Sequence, residues 1–114
     1  MKISFDAIAE SAIENFKGGE GTFHVHMFQD MNNKIMKGRL VPGSSIGTHT
    51  HETNSEIIYV LSGVGTMEYE DTKEKLYPAT AIIVRREQPT ACQMKAPKTS
   101  YSSLLYRNTS TRVV

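Results

Sequence analysis

Residues 42–63 read PGSSIGTHTHETNSEIIYVLSG, and the order of turn, polar and apolar residues in that stretch decides how the chain folds. Pro42, Gly43 and Ser44 form turns readily, as do Ser62 and Gly63, so extended chain is bracketed by turns at both ends. Inside the bracket His49 and His51 stand two residues apart. Side chains of a strand alternate between its faces, so both imidazoles point the same way and can grip one ion. Glu56 follows after the polar connection Glu52-Thr53-Asn54-Ser55 and opens an apolar run over 56–61. A carboxylate there can fold back beside the two histidines. Two neutral nitrogens and one anionic oxygen on one side of an ion leave the opposite coordination positions open. That donor mix suits a divalent transition metal (iron, manganese, nickel, cobalt, copper or zinc) better than calcium, which prefers oxygen donors alone.

Outward from this stretch the same grammar repeats. Runs of strand length and composition occur at 22–28, 34–41, 65–69, 80–84, 90–95 and 102–107, and turn residues separate them at 30–33, 70–73, 77–78 and 96–97. Many short strands joined by regular turns predict an all-β sandwich or barrel. Ahead of them Phe5, Ile8, Ile13 and Phe16 are spaced three to five apart and Asp6 can cap, which predicts a short helix within 3–16. Gly18, Gly19 and Gly21 then break regular structure. A phosphate-cradling glycine loop needs a following helix, and here a strand follows. The expected organisation is an amino-terminal extension over 1–17, a barrel over 18–108 and a carboxy-terminal tail over 109–114.

The spacing of the ligand stretch resembles the first motif of the cupin superfamily: glycine, five residues, His-x-His, three or four residues, glutamate, six residues, glycine. Gly43, His49, His51, Glu56 and Gly63 meet every position of it. The resemblance implies a cupin jelly-roll barrel, the double-stranded β-helix, with a small-molecule ligand or substrate inside and a homodimer as the expected assembly. It implies no single reaction, since the superfamily includes dioxygenases, isomerases, epimerases, decarboxylases, storage proteins and sugar-binding regulators. In the second cupin motif the chain departs from the pattern. Pro78-Ala79-Thr80 takes the place of the usual Pro-Gly-Asp turn, Thr90 stands where a histidine supplies the fourth ligand, and Met94 stands where an asparagine is usual. A threonine hydroxyl is a poor transition-metal donor, so the implied site has three protein ligands, His49, His51 and Glu56.

Other residues have plainer expectations. His24 and His26 repeat the His-x-His spacing but lie opposite Phe23, Val25 and Met27, so the apolar set should face the core and the histidines solvent or a subunit contact. If they faced inward, one of them could supply the fourth ligand. Strand parity from Thr90 sends Cys92 and Met94 inward as packing residues. Tyr59, out of phase with Glu56, Ile58 and Val60, should leave the core face for a packing role at an interface. Arg85-Arg86-Glu87 reads as a solvated turn near one barrel mouth, placed to orient an anion in the alternative.

The bulk numbers exclude whole classes. A chain of 114 residues with 39% hydrophobic content builds one core and not two. Thirteen basic against twelve acidic residues leave a net charge of +1, which draws in neither nucleic acid nor an acidic membrane. No apolar run approaches the roughly 20 residues of a membrane span, and no secretory pattern opens the chain. A lone cysteine, Cys92, forms no internal disulfide and agrees with the cytoplasm. No nucleophile or dinucleotide fingerprint is present. Two function classes stay open: a metal-binding cupin that binds or converts a small molecule, and a non-catalytic binding or sensing cupin that has lost its metal.

Overall fold

The computed structural model describes residues 1–48, 54–69, 72–84 and 92–110. Among them ten strands form: β1 Ser11–Glu14, β2 Thr22–Gln29, β3 Asn33–Leu40, β4 Ser45–Thr48, β5 Asn54–Ser62, β6 Gly65–Glu68, β7 Lys73–Leu76, β8 Ala81–Val84, β9 Cys92–Lys95 and β10 Ser102–Ser110. They pair antiparallel into two sheets, one in the order β1-β2-β3-β10-β5-β8 and one in the order β4-β9-β6-β7.

Alternation along the strands makes the core. Phe23 and Val25 of β2, Met36 and Leu40 of β3, Ile58 and Val60 of β5, and Leu104 and Tyr106 of β10 are buried on the inner face of the larger sheet. Ile46, Met67, Leu76 and Met94 meet them from the smaller one, in a single cluster. Two sheets stacked face to face over one core are the jelly-roll arrangement expected from the sequence. Fully burying each such side chain stabilises the fold by roughly 1.5–3 kcal/mol. Phe16 joins this core from outside the sheets, edge-on to Tyr106 at 5.4 Å and tilted against Phe23 at 5.7 Å between ring centroids.

The amino-terminal segment differs from expectation. In place of a helix it has a 3-10 turn at Phe5–Ala7, then β1, then a second 3-10 turn at Phe16–Gly18. The physical reason is the open edge of β2, whose backbone groups offer β1 a complete ladder from Ser11 opposite Val25 to Glu14 opposite Thr22. A side chain completes the attachment, since a ring nitrogen of His26 meets the Ile8 carbonyl at 2.6 Å.

Between β1 and β2 a tight turn crosses to the smaller sheet. The Asn15 amide donates to the Gly21 carbonyl at 2.9 Å, while Asn15 and Lys17 take left-handed backbone angles, φ 54° and 56°. The Ser45 amide donates to the Glu20 carbonyl, and the Glu20 amide donates to Ser45 Oγ, both at 2.8 Å. Gly47 of β4 lies so close beneath the Lys17 carbonyl that a Cβ there would overlap it. The turn is thereby pinned on the barrel wall and sends the Lys17 side chain inside. No described helix is long and apolar enough to cross a membrane.

Candidate metal and ligand site

Glu56 stands near the start of β5, two residues after the chain re-enters the sheet at Asn54. Its inward parity with Ile58 and Val60 buries it completely, at 0% exposure. Neither carboxylate oxygen accepts a hydrogen bond from a described residue. Lys17 Nζ lies 3.2 Å from Oε1 but off the line that a hydrogen bond requires, so the contact is an ion pair alone. A buried carboxylate without donors is costly, because water no longer solvates it and one ammonium leaves most of its lone pairs empty. Such an oxygen pair is suited to a cation that takes it directly.

Lys34 of β3 is the third charged group here. It shares the inner face with Met36 and Leu40, and its ammonium sits 5.3 Å from the centre of the Phe16 ring. Burial pushes the Lys34 pKa below the usual lysine range, the neighbouring Lys17 charge pushes the same way, and Glu56 opposes both. Two ammonium groups and one carboxylate therefore share one end of the barrel.

Of the predicted ligands, Glu56 is on the inner face. His49, His51, the Thr90 position and the Arg85-Arg86-Glu87 turn lie outside the described residues, as does the side chain of Cys92. Met94 is buried in the core. His24 and His26 are on the outer face with the expected polarity, where ring nitrogens lie 3.6 and 3.8 Å from the Glu10 carboxylate. An outward pair cannot supply a fourth ligand inside the barrel. Tyr59 points outward and is 37% exposed. Among the described residues no three His, Cys, Asp or Glu side chains come together.

Sequence reasoning passed over both lysines. For Lys34 a signal exists, since its parity with Met36 and Leu40 places a charge on an apolar face. Lys17 carries none: its aim comes from a left-handed turn and a contact with a residue thirty positions away.

The family model for the cupin domain matches residues 36–92, half of the chain. The chain belongs to the cupin family. Among curated proteins this cupin is 37% identical over 71 residues to the oxalate-binding protein of Thermotoga maritima, a match that covers 57% of the chain and 59% of that relative, short of two thirds of its length. Two solved structures share the fold. One is a predicted oxalate decarboxylase from Thermotoga maritima, with a TM-score of 0.77 at 20% identity over 96% of this cupin and 99% of that chain. The other is a sugar phosphate isomerase of the cupin superfamily from Silicibacter pomeroyi, with a TM-score of 0.77 at 15% identity over 97% of this cupin and 76% of that chain. At those identities the likeness is one of fold.

Proposed function

We propose that this cupin binds a divalent transition metal through His49, His51 and Glu56 and takes a small carboxylate ligand, of the oxalate kind, in its barrel. The observation that carries the metal half is the buried Glu56 carboxylate, whose two oxygens accept no hydrogen bond from a described residue. Its position in the His-x-His and glutamate spacing supplies the reason for keeping such a group inside an apolar core. The carboxylate half is supported by the oxalate-binding relative and by the excess of positive charge beside Glu56. When bound, the ion supplies a Lewis acid that polarises a ligand oxygen. Glu56 and the two histidines hold it, and the apolar wall of Ile58, Val60, Met67 and Leu104 excludes water behind it.

Metal analysis of protein purified without chelator tests the reading. Roughly one metal per chain is expected in the wild type, with a loss of at least tenfold in affinity for His49→Ala. No metal in either protein would sink it.

A second reading is favoured by one contact, the Lys17 ammonium 3.2 Å from Glu56 Oε1. In it the lysine is the permanent counter-ion of Glu56, and the barrel is a metal-free module for binding or sensing a small molecule. That reading predicts ligand-induced stabilisation in chelator-treated protein and none from added metal.

The assembly belongs to the same proposal. Tyr59 of β5 and Ile83 of β8 expose apolar surface on the outer face of the larger sheet, at 37% and 52%, and this supports the expected homodimer. Light scattering behind size exclusion checks it, and a monomer mass would remove it. A cytoplasmic location is proposed from the single cysteine.

A further inference from the structure

We infer that Lys17 and Lys34 form an anion seat in the barrel and hold one carboxylate group of a small dicarboxylate ligand beside Glu56. The inference rests on the reading above for the class of ligand, and it names the side chains that recognise it.

Charge is the first argument. Among the described residues Glu56 is the one carboxylate whose field raises the Lys34 pKa, whereas Lys17 and burial lower it. With both lysines protonated, two ammonium groups against one carboxylate leave one positive charge in excess. A divalent ion on Glu56 would raise that excess to three, and a dicarboxylate would remove two. Charges partly shielded from water interact more strongly than in bulk solvent, so an anion is the species that this cluster favours.

Placement is the second. A lysine ordinarily leaves an apolar strand face by extending its stem to solvent. Lys34 instead stacks on Phe16, a ring that is itself 93% covered and fixed by Phe23 and Tyr106. An aromatic face orients an ammonium without neutralising it, so its donors stay available. Lys17 is brought to the same point by the pinned turn over Gly47, with its side chain only 23% exposed. Glu56 offsets one of the two like charges that these routes bring together, and an anion beside it would offset the other.

The test is calorimetric titration of oxalate, formate, inorganic phosphate and the neutral analogue oxamide into chelator-treated and manganese-reloaded protein. Metal content is measured after each run, because oxalate itself chelates. The wild type should bind oxalate more tightly than formate, bind oxamide not at all, and prefer oxalate to phosphate. Lys34→Met should lose at least tenfold in oxalate affinity in both metal states, about 1.4 kcal/mol, and Lys34→Arg should recover most of it. Lys17→Gln, on a side chain that already reaches solvent, gives a second variant if the first fails to fold, with the same direction expected. Oxalate affinities within twofold of wild type in both variants would overturn the seat and leave the metal reading intact. A wild type that takes up manganese yet binds no oxalate, or that prefers phosphate, would overturn it as well. Protein that takes no metal but loses oxalate on Lys34→Met would overturn the metal reading and keep the seat.

Discussion

Lys17 Nζ stands 3.2 Å from Glu56 Oε1, an ammonium delivered from a turn to a carboxylate that the sheet has sealed from water. The same carboxylate is the proposed metal ligand, so two cations have a claim on one group. Removing the ammonium should favour the other claimant. Lys17→Gln should bind manganese or zinc about tenfold more tightly, ~1.4 kcal/mol, in competition with a chromophoric chelator. Without metal the same variant should lose about 1–3 kcal/mol of stability to urea, because the buried carboxylate loses its partner while the lysine it loses is already partly solvated. Equal metal affinity in both proteins would refute the competition.

Glu56→Gln keeps the shape of the side chain and removes its charge. Wild-type protein at a hundredfold excess of metal over its Kd should gain about 2.7 kcal/mol of stability, and the variant should gain nothing. In the absence of metal the variant should melt below wild type, because Lys17 and Lys34 lose the carboxylate that faces them. A metal-induced rise in the melting temperature of Glu56→Gln would place the ion elsewhere.

The Gly47 contact yields a packing prediction. A methyl at this position has to displace the Lys17 carbonyl, which the turn holds through the paired Ser45 and Glu20 hydrogen bonds. Gly47→Ala should therefore cost about 1–3 kcal/mol by denaturant midpoint, the usual penalty for overpacking. It should also weaken oxalate binding, because Lys17 moves with its turn. A variant as stable as wild type would show that the turn is free to shift.

Two carboxylates, Asp30 and Glu68, should contribute to the acid limb of the stability curve. Asp30 accepts the backbone N–H groups of Asn32 and Asn33 at 2.9 and 2.7 Å, which hold its pKa below the usual aspartate range. Lys95, at 3.0 Å, and then Lys73, at 3.3 Å, hold the Glu68 carboxyl below the usual glutamate range. A carboxyl whose folded pKa lies below its unfolded one stabilises above the unfolded value, and the contribution is lost as pH falls through the folded one. The gap in urea midpoint between wild type and Asp30→Ala or Glu68→Gln should be constant near neutrality and close as pH drops past those depressed pKa values. A gap that persists at pH 2 would assign the effect to packing.

Much of this architecture is legible in the chain. Strand β2 alternates apolar and polar residues along most of its length, and β3, β5 and β10 bury Met36 and Leu40, Ile58 and Val60, and Leu104 and Tyr106 at even spacings of one face. Three strands escape notice for a shared reason. β1, β4 and β7 are four residues long and read SAIE, SIGT and KEKL, so they exist through their partners and not through any period of their own. The spacing of Phe5, Ile8, Ile13 and Phe16 suggests a helix because sequence cannot see the vacant edge of β2. At the site Glu56 is announced by its motif. Lys34 is announced only by parity, and Lys17 not at all, because a left-handed turn obeys no side-chain rhythm.

The turn that carries Lys17 lies ahead of the segment matched by the cupin model, and Lys34 also precedes residue 36. On the proposed reading, motif and anion recognition occupy separate stretches of chain. Substitutions before residue 36 would then retune which anion enters while every residue of the cupin motif stays as it is. Cupins sorted by the motif alone would fall into one class even where their preferred ligands differ. For chains of this kind the loop that precedes the motif is the place to look for the difference.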